Sequence, residues 1–196
     1  NEVVAEYEPK VGRENILIYP VGRKVADAVK KMEGLTAAGD YQHMSGKPNY
    51  QEAADLAAEL MTRFASGEIQ QVELLYNHFK STSTQVLTRE TYLPLDLSAG
   101  HADEKGEEQE TMQADYLIEP SPEQVMEELL PKVLRMKMYT VLLDSTASEH
   151  AARTMAMQIA TDNANDLIQE LTLIYNKSRQ QAITNELLDI VGGSMS

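Results

Sequence analysis

Along this chain the spacing of apolar positions alternates between strand-like and helix-like, and each switch marks an element. Glu2-Val-Val-Ala-Glu-Tyr7 reads as the end of a helix with no N-cap before it. Asn15-Ile-Leu-Ile-Tyr19 is almost wholly apolar, which predicts a short strand buried on both faces. Pro20 and Gly22 end that run, and Val25, Ala28, Val29 and Met32 then recur at helical spacing over 23–33. Residues 34–49, rich in Gly, Ser and Asn, predict a loop. A second amphipathic helix follows over 50–66, with Ala53, Leu56, Ala57, Leu60, Met61 and Phe64 on one face. Two runs rich in Val, Tyr, Phe and Thr, about 71–79 and 84–92, predict strands split at Ser81-Thr-Ser-Thr84. An acidic polar stretch, 97–113, is expected to be mobile, and Tyr116-Leu-Ile118 is a last short strand. Strands alternating with helices, then a hairpin, predict an α/β fold: a small three-layer domain with a mixed sheet.

The final third reads differently. Ser121-Pro122-Glu123-Gln124 has the signature of a helix start: Ser as N-cap, Pro in the first turn, Gln at the capping-box position. Pro131 is expected to kink that helix or end a short first piece of it. From Lys132 to Val191, 60 residues, there is neither Gly nor Pro, and Gly192-Gly193 is expected to stop the helix. An unbroken helix of that length is roughly 90 Å long, so most of it must project beyond a domain only about 30 Å across. The expected organisation is therefore a globular domain over 1–120, a long helix over 121–193 and a tail over 194–196.

Within the long helix, Met157, Ala160, Ala164, Leu167, Leu171, Ile174 and Ser178 recur at alternating spacings of three and four. That is a coiled-coil seam, with small residues at several layers that let a second helix approach closely. No other segment of the chain is long enough to be the partner. Together with Asn1, which is no natural initiator, this leads to the expectation that the chain is N-terminally truncated and that an antiparallel mate lies in the missing part. Beyond Ser178 the heptad falters, and Ala182, Ile183, Leu187, Ile190 and Val191 make an apolar tip instead.

Composition narrows the function. With 17 basic and 31 acidic residues the net charge is −14, which makes nucleic acid a poor partner. Residues 132–191 carry seven acids and six bases, so −13 of that charge lies outside them, and this near-neutral helix suits insertion among protein neighbours. The absence of cysteine excludes disulfides, thiolate metal sites and cysteine nucleophiles. No apolar run approaches the roughly 18 residues of a membrane span.

Catalytic chemistry finds little support. His43, His78, His101 and His150 share no motif spacing and read as surface or structural residues. His101 with Asp103 and Glu104 has the residue types of a metal cluster, but a solvated charge run explains it better. Gly22 follows a strand, yet no dinucleotide, P-loop or nucleophile-elbow motif occurs. Met136, Met138, Met155 and Met157 read as core packing and adaptable contact. No catalytic residue, metal or cofactor is expected. Tyr175-Asn-Lys-Ser-Arg-Gln-Gln181 is either a solvated face or a set of hydrogen-bonding teeth for a surrounding partner, and Arg179 suits two-pronged pairing with a carboxylate.

Ala151-Ala-Arg-Thr-Met-Ala-Met157, Ala160-Thr-Asp-Asn-Ala164, Leu171-Thr-Leu-Ile-Tyr-Asn-Lys-Ser-Arg-Gln180 and Ile183-Thr-Asn-Glu-Leu187, running on to Ile190-Val-Gly192, closely resemble the C-terminal signature of the ATP synthase gamma subunit family. The match is dense over about 145–193 and continues more weakly through Tyr116-Leu-Ile-Glu-Pro120 and the strands before it. The resemblance implies a central rotor shaft whose asymmetry drives catalytic sites that belong to its partners. Those partners would be the alpha and beta subunits of the catalytic head, an epsilon-type subunit and the membrane rotor ring, at the cytoplasmic face of a bacterial inner membrane. It implies that Arg179 and Gln180 bond a loop of the catalytic subunit and that Thr184 and Glu186 belong to the same signature. It also implies that Leu187, Ile190 and Val191 sit in a sleeve at the top of the head. Two rivals stand beside it: a free-standing scaffold that pairs through its long helix, and a small-molecule-binding α/β domain with an oligomerisation arm.

Overall fold

A computed structural model describes residues 2–32, 34–95 and 119–194. The predicted strand at 116–118, the acidic stretch 97–113 and His101 with Asp103 and Glu104 lie outside the described residues. The elements, in order, are α1 (Glu2–Val11), β1 (Leu17–Ile18), α2 (Arg23–Lys30), β2 (Thr36–Ala37), α3 (Tyr50–Ala65), β3 (Val72–Ser81), β4 (Thr84–Leu93) and α4 (Pro122–Ser194), with single 3-10 turns at Arg13–Asn15 and Gln42–Ser45. Helices are mixed with a parallel pair, β1 beside β2, and an antiparallel hairpin, β3 with β4. The chain divides into two compact units, Asn1–Glu149 and His150–Ser196.

Local chemistry sets the boundaries. Asn49 caps α3, its side-chain carbonyl accepting the Gln51 N–H at 2.9 Å. Ser121 does the same for α4, accepting the Gln124 N–H at 3.3 Å ahead of Pro122, as the sequence predicts. Gly22, between β1 and α2, sits at φ +101°, where a side chain is strained, and a Cβ there would press on Ser45 at 3.3 Å.

The core of the first unit lies between α3, the hairpin and the first part of α4. Ala53, Leu56, Ala57 and Leu60 of α3 meet Tyr92 and Leu93 of β4 and Leu134, Met138 and Leu142 of α4, with Met44 from the preceding loop. The α3 face is the predicted one, with Met61 and Phe64 half-buried at its margin. Tyr92 brings its hydroxyl into this core and donates to the Leu134 carbonyl at 2.9 Å, and burial pushes that phenol up to about 12.

Four expectations need correction. The first strand is two residues long and Leu17 is 38% exposed, because β2 is the one strand beside it among the described residues. The loop over 34–49 contains β2 and a 3-10 turn, held by pairing to β1 rather than by its own apolar pattern. In α2 the inward residues are Ala26 and Val29, and Val25 is exposed. Finally, α4 neither ends at Pro131 nor stops at Gly192-Gly193. It runs on to Ser194, whose hydroxyl donates back to the Val191 carbonyl at 3.0 Å. Glycine lowers helix propensity by about 1 kcal/mol without forbidding the conformation.

Candidate functional site

The candidate site is the helix of the second unit. Every residue from Ala152 to Ser194 is exposed, so this stretch is helical without being buried. The residues expected to form the seam lie open: Met157 is 64% exposed, Leu167 55%, Leu171 54% and Ile174 56%. At 100° per residue they form one stripe, flanked by the equally exposed Ile168 and Tyr175.

The residues expected to contact a partner fall on two other faces. Arg179 shares one with Ile183, Glu186 and Ile190, spaced i, i+4, i+7 and i+11. Gln180, Thr184, Leu187 and Val191 share the next, about 100° further round and roughly opposite the stripe that ends at Ser178. Thr184 donates its hydroxyl to the Gln180 carbonyl at 2.8 Å. Arg179 has no ion pair among the described residues. Lys177 lies two residues before it, so this turn carries two cations and no acid. The arrangement holds no nucleophile–base pair, and among the described residues no group of three or more potential metal ligands gathers.

Comparison with known proteins gives the family of the chain. A family model described as ATP synthase matches residues 1–196. The gamma chain of ATP synthase from Phocaeicola vulgatus is 69% identical over 194 residues, which span 99% of this chain and 65% of that one. The chain belongs to the ATP synthase gamma family. The gamma chain from Bacteroides fragilis is 59% identical over 195 residues, 100% of this chain and 66% of the relative. The chain thus spans just under two thirds of the length of these curated relatives. A cryo-EM structure of Euglena gracilis mitochondrial ATP synthase contains a chain of the same fold, at 22% identity and a TM-score of 0.53, covering 97% of this chain and 65% of that one.

For a member of the gamma family, some of the best-defined polar geometry lies in the first unit, where sequence reading missed it. Arg89 joins three elements. Its guanidinium bonds Glu73 at 2.8 and 3.1 Å, Glu6 of α1 at 2.6 Å and the Tyr7 hydroxyl at 3.3 Å. Tyr7 in turn donates to Glu73 at 2.7 Å. The Arg89 bonds hold the carboxyls of Glu6 and Glu73 below their ordinary range against the opposing effect of burial. His78 meets Asp144 at 2.6 Å, and His43 meets Glu52 at 3.1 Å. Their partners lie 66 and nine residues away in sequence; nothing in the period of apolar positions signals such pairs.

Proposed function

We propose that the complete protein is the central rotor shaft of a proton-translocating F-type ATP synthase, coupling rotation of a membrane ring to conformational change at catalytic sites on partner subunits. The observation that carries this is the exposed stripe and tip of residues 157–191, in a chain matched from end to end by the gamma family. Apolar side chains displayed this densely along a helix are a liability unless neighbours cover them.

In this reading Met157, Ala160, Ala164, Leu167, Leu171, Ile174 and Ser178 take an antiparallel mate from an N-terminal helix of the complete subunit. Arg179, Gln180, Thr184 and Glu186 engage the alpha and beta subunits of the catalytic head, and Leu187, Ile190 and Val191 turn in its sleeve. Residues 1–120 form the foot, which meets an epsilon-type subunit and the ring, and 121–193 form the shaft. The chain itself is non-catalytic and binds no cofactor. Among the described residues no helix is long and apolar enough to cross a membrane. Residence at the cytoplasmic face of a bacterial inner membrane then comes from the partners.

The test is depletion and replacement. Membranes stripped of their gamma subunit are supplied with the complete protein, and proton-driven ATP synthesis is measured. Restored synthesis is expected. Recovery of the protein in complexes without head or ring subunits would favour the free-standing scaffold, and micromolar nucleotide binding by the isolated chain in calorimetry would favour the ligand-binding rival.

A further inference from the structure

The β3–β4 hairpin is fastened to α4 at both of its ends, by different means. At the base, Tyr92 and Leu93 are buried against Leu134 and Met138, and Lys137 adds an ion pair to Glu90 at 2.8 Å. Toward the tip, apolar cover thins, with Phe79 37% and Val86 42% exposed. There the attachment is made of directed bonds. One oxygen of Asp144 lies 2.6 Å from the His78 ring and the other accepts the Phe79 N–H at 2.8 Å. One turn further along α4, the buried Ser148 hydroxyl donates to the Asn77 carbonyl at 2.8 Å. Three consecutive residues of β3 are thus held, immediately before the register shift between Phe79 and Ser81. From Leu134 to Ser148 the hairpin is tied along about 21 Å of helix.

The two kinds of attachment answer different loads. Apolar burial resists separation and is indifferent to direction. Hydrogen bonds weaken steeply when their angle is wrong, so bonds set off the helix axis oppose twisting of the helix under the sheet. We propose that Asp144, with Ser148, is the grip that passes turning force between α4 and the hairpin, and through the hairpin to the globular unit. The proposal rests on the shaft reading and names a load-carrying contact within it. Asp144 is a positioning residue: it acts through the hairpin it holds, and it fixes the tip on which the foot turns with the helix.

The experiment uses the complete subunit with Asp144→Ala, which removes both bonds, and Asp144→Asn, which keeps an acceptor for the Phe79 N–H. Hydrogen exchange should accelerate at residues 77–87 by about tenfold or more in the alanine variant, less in the asparagine variant, and not at all in α3. In the assembled synthase, ATP hydrolysis should be kept while protons pumped per ATP fall, in the same order of variants. Unchanged exchange at the tip in Asp144→Ala overturns the grip. A loosened tip with an unchanged pumping ratio also overturns it. If the unaltered subunit restores no coupling to depleted membranes, the shaft reading fails on its own, before any variant is compared, and takes the grip with it.

Discussion

Residues 134–148 and 157–191 of α4 are drawn from much the same alphabet of Leu, Met, Ala, Thr and scattered charges, yet they live in opposite surroundings. In the first stretch Leu134, Met138, Val141 and Leu142 are at most 7% exposed, and Asp144, Thr146 and Ser148 each bond a residue of another element or loop in the same unit. In the second, Leu171, Leu173 and Leu187 are 54%, 71% and 58% exposed. The contrast teaches that a single helix can be structural over one stretch and a display surface over another. Composition does not distinguish the two; the elements that lie alongside do.

That difference can be broken most directly by truncation. Leu142→Ala should cost about 2–5 kcal/mol, because it empties a site between α3 and the hairpin. Leu171→Ala should change the stability of the chain by no more than about 0.5 kcal/mol. Chemical denaturation of both variants measures this, and equal losses would show that the second stretch has a partner within the chain.

The next effect concerns pH. Glu6 and Glu73 are held below their ordinary value of 4.5, so their contribution is complete above that value and disappears as pH falls through the lowered values of the folded state. No described residue of α1 is buried, so α1 should detach first in acid, seen as faster hydrogen exchange over residues 3–11. Arg89→Ala should release α1 already at neutral pH. On the alkaline side, Tyr41 and Tyr92 are pushed up to about 12 by burial, with Glu59 adding to the effect at Tyr41. A raised phenol stabilises the fold below its ordinary value of 10 and loses that contribution as pH climbs toward 12. Melting temperature against pH, followed with tyrosinate absorbance, should show the decline beginning near 10.

Smaller again is Tyr92→Phe, which keeps the ring and deletes the bond to Leu134; about 1 kcal/mol is expected, read from a denaturant midpoint. The smallest effect on stability belongs to Arg179→Ala, within about 0.5 kcal/mol for the free chain. Its expected consequence lies elsewhere, as weaker assembly or ATP synthesis in reconstituted vesicles. Arg179→Lys should recover part of that loss, since one ammonium cannot reproduce a two-pronged fork. Normal synthesis in the alanine variant would leave Arg179 a solvated residue.

Legibility in the sequence followed the length of each pattern. The α3 face, the hairpin and α4 were readable because their periods persist over ten residues or more, long enough for local preference and burial to agree. Two-residue β1 and β2 were not, since pairing of Leu17 with Thr36 across the chain decides them. The stripe from Met157 to Ser178 could be placed in advance because its spacing is purely helical. Asp144 could not, because its value comes from His78 and Phe79, brought beside it by tertiary packing alone.

One detail of the exposed stretch concerns its threonines. Thr161, Thr172 and Thr184 each donate their hydroxyl to the carbonyl one turn back, at 2.9, 2.7 and 2.8 Å. Each proton is thereby used inside the helix, so these sites present a methyl group and an acceptor oxygen, but no free donor, to whatever lies alongside. In the rotor reading proposed above, these three positions would add no donor to be released as the helix turns, which leaves directed contact to residues such as Arg179 and Gln180.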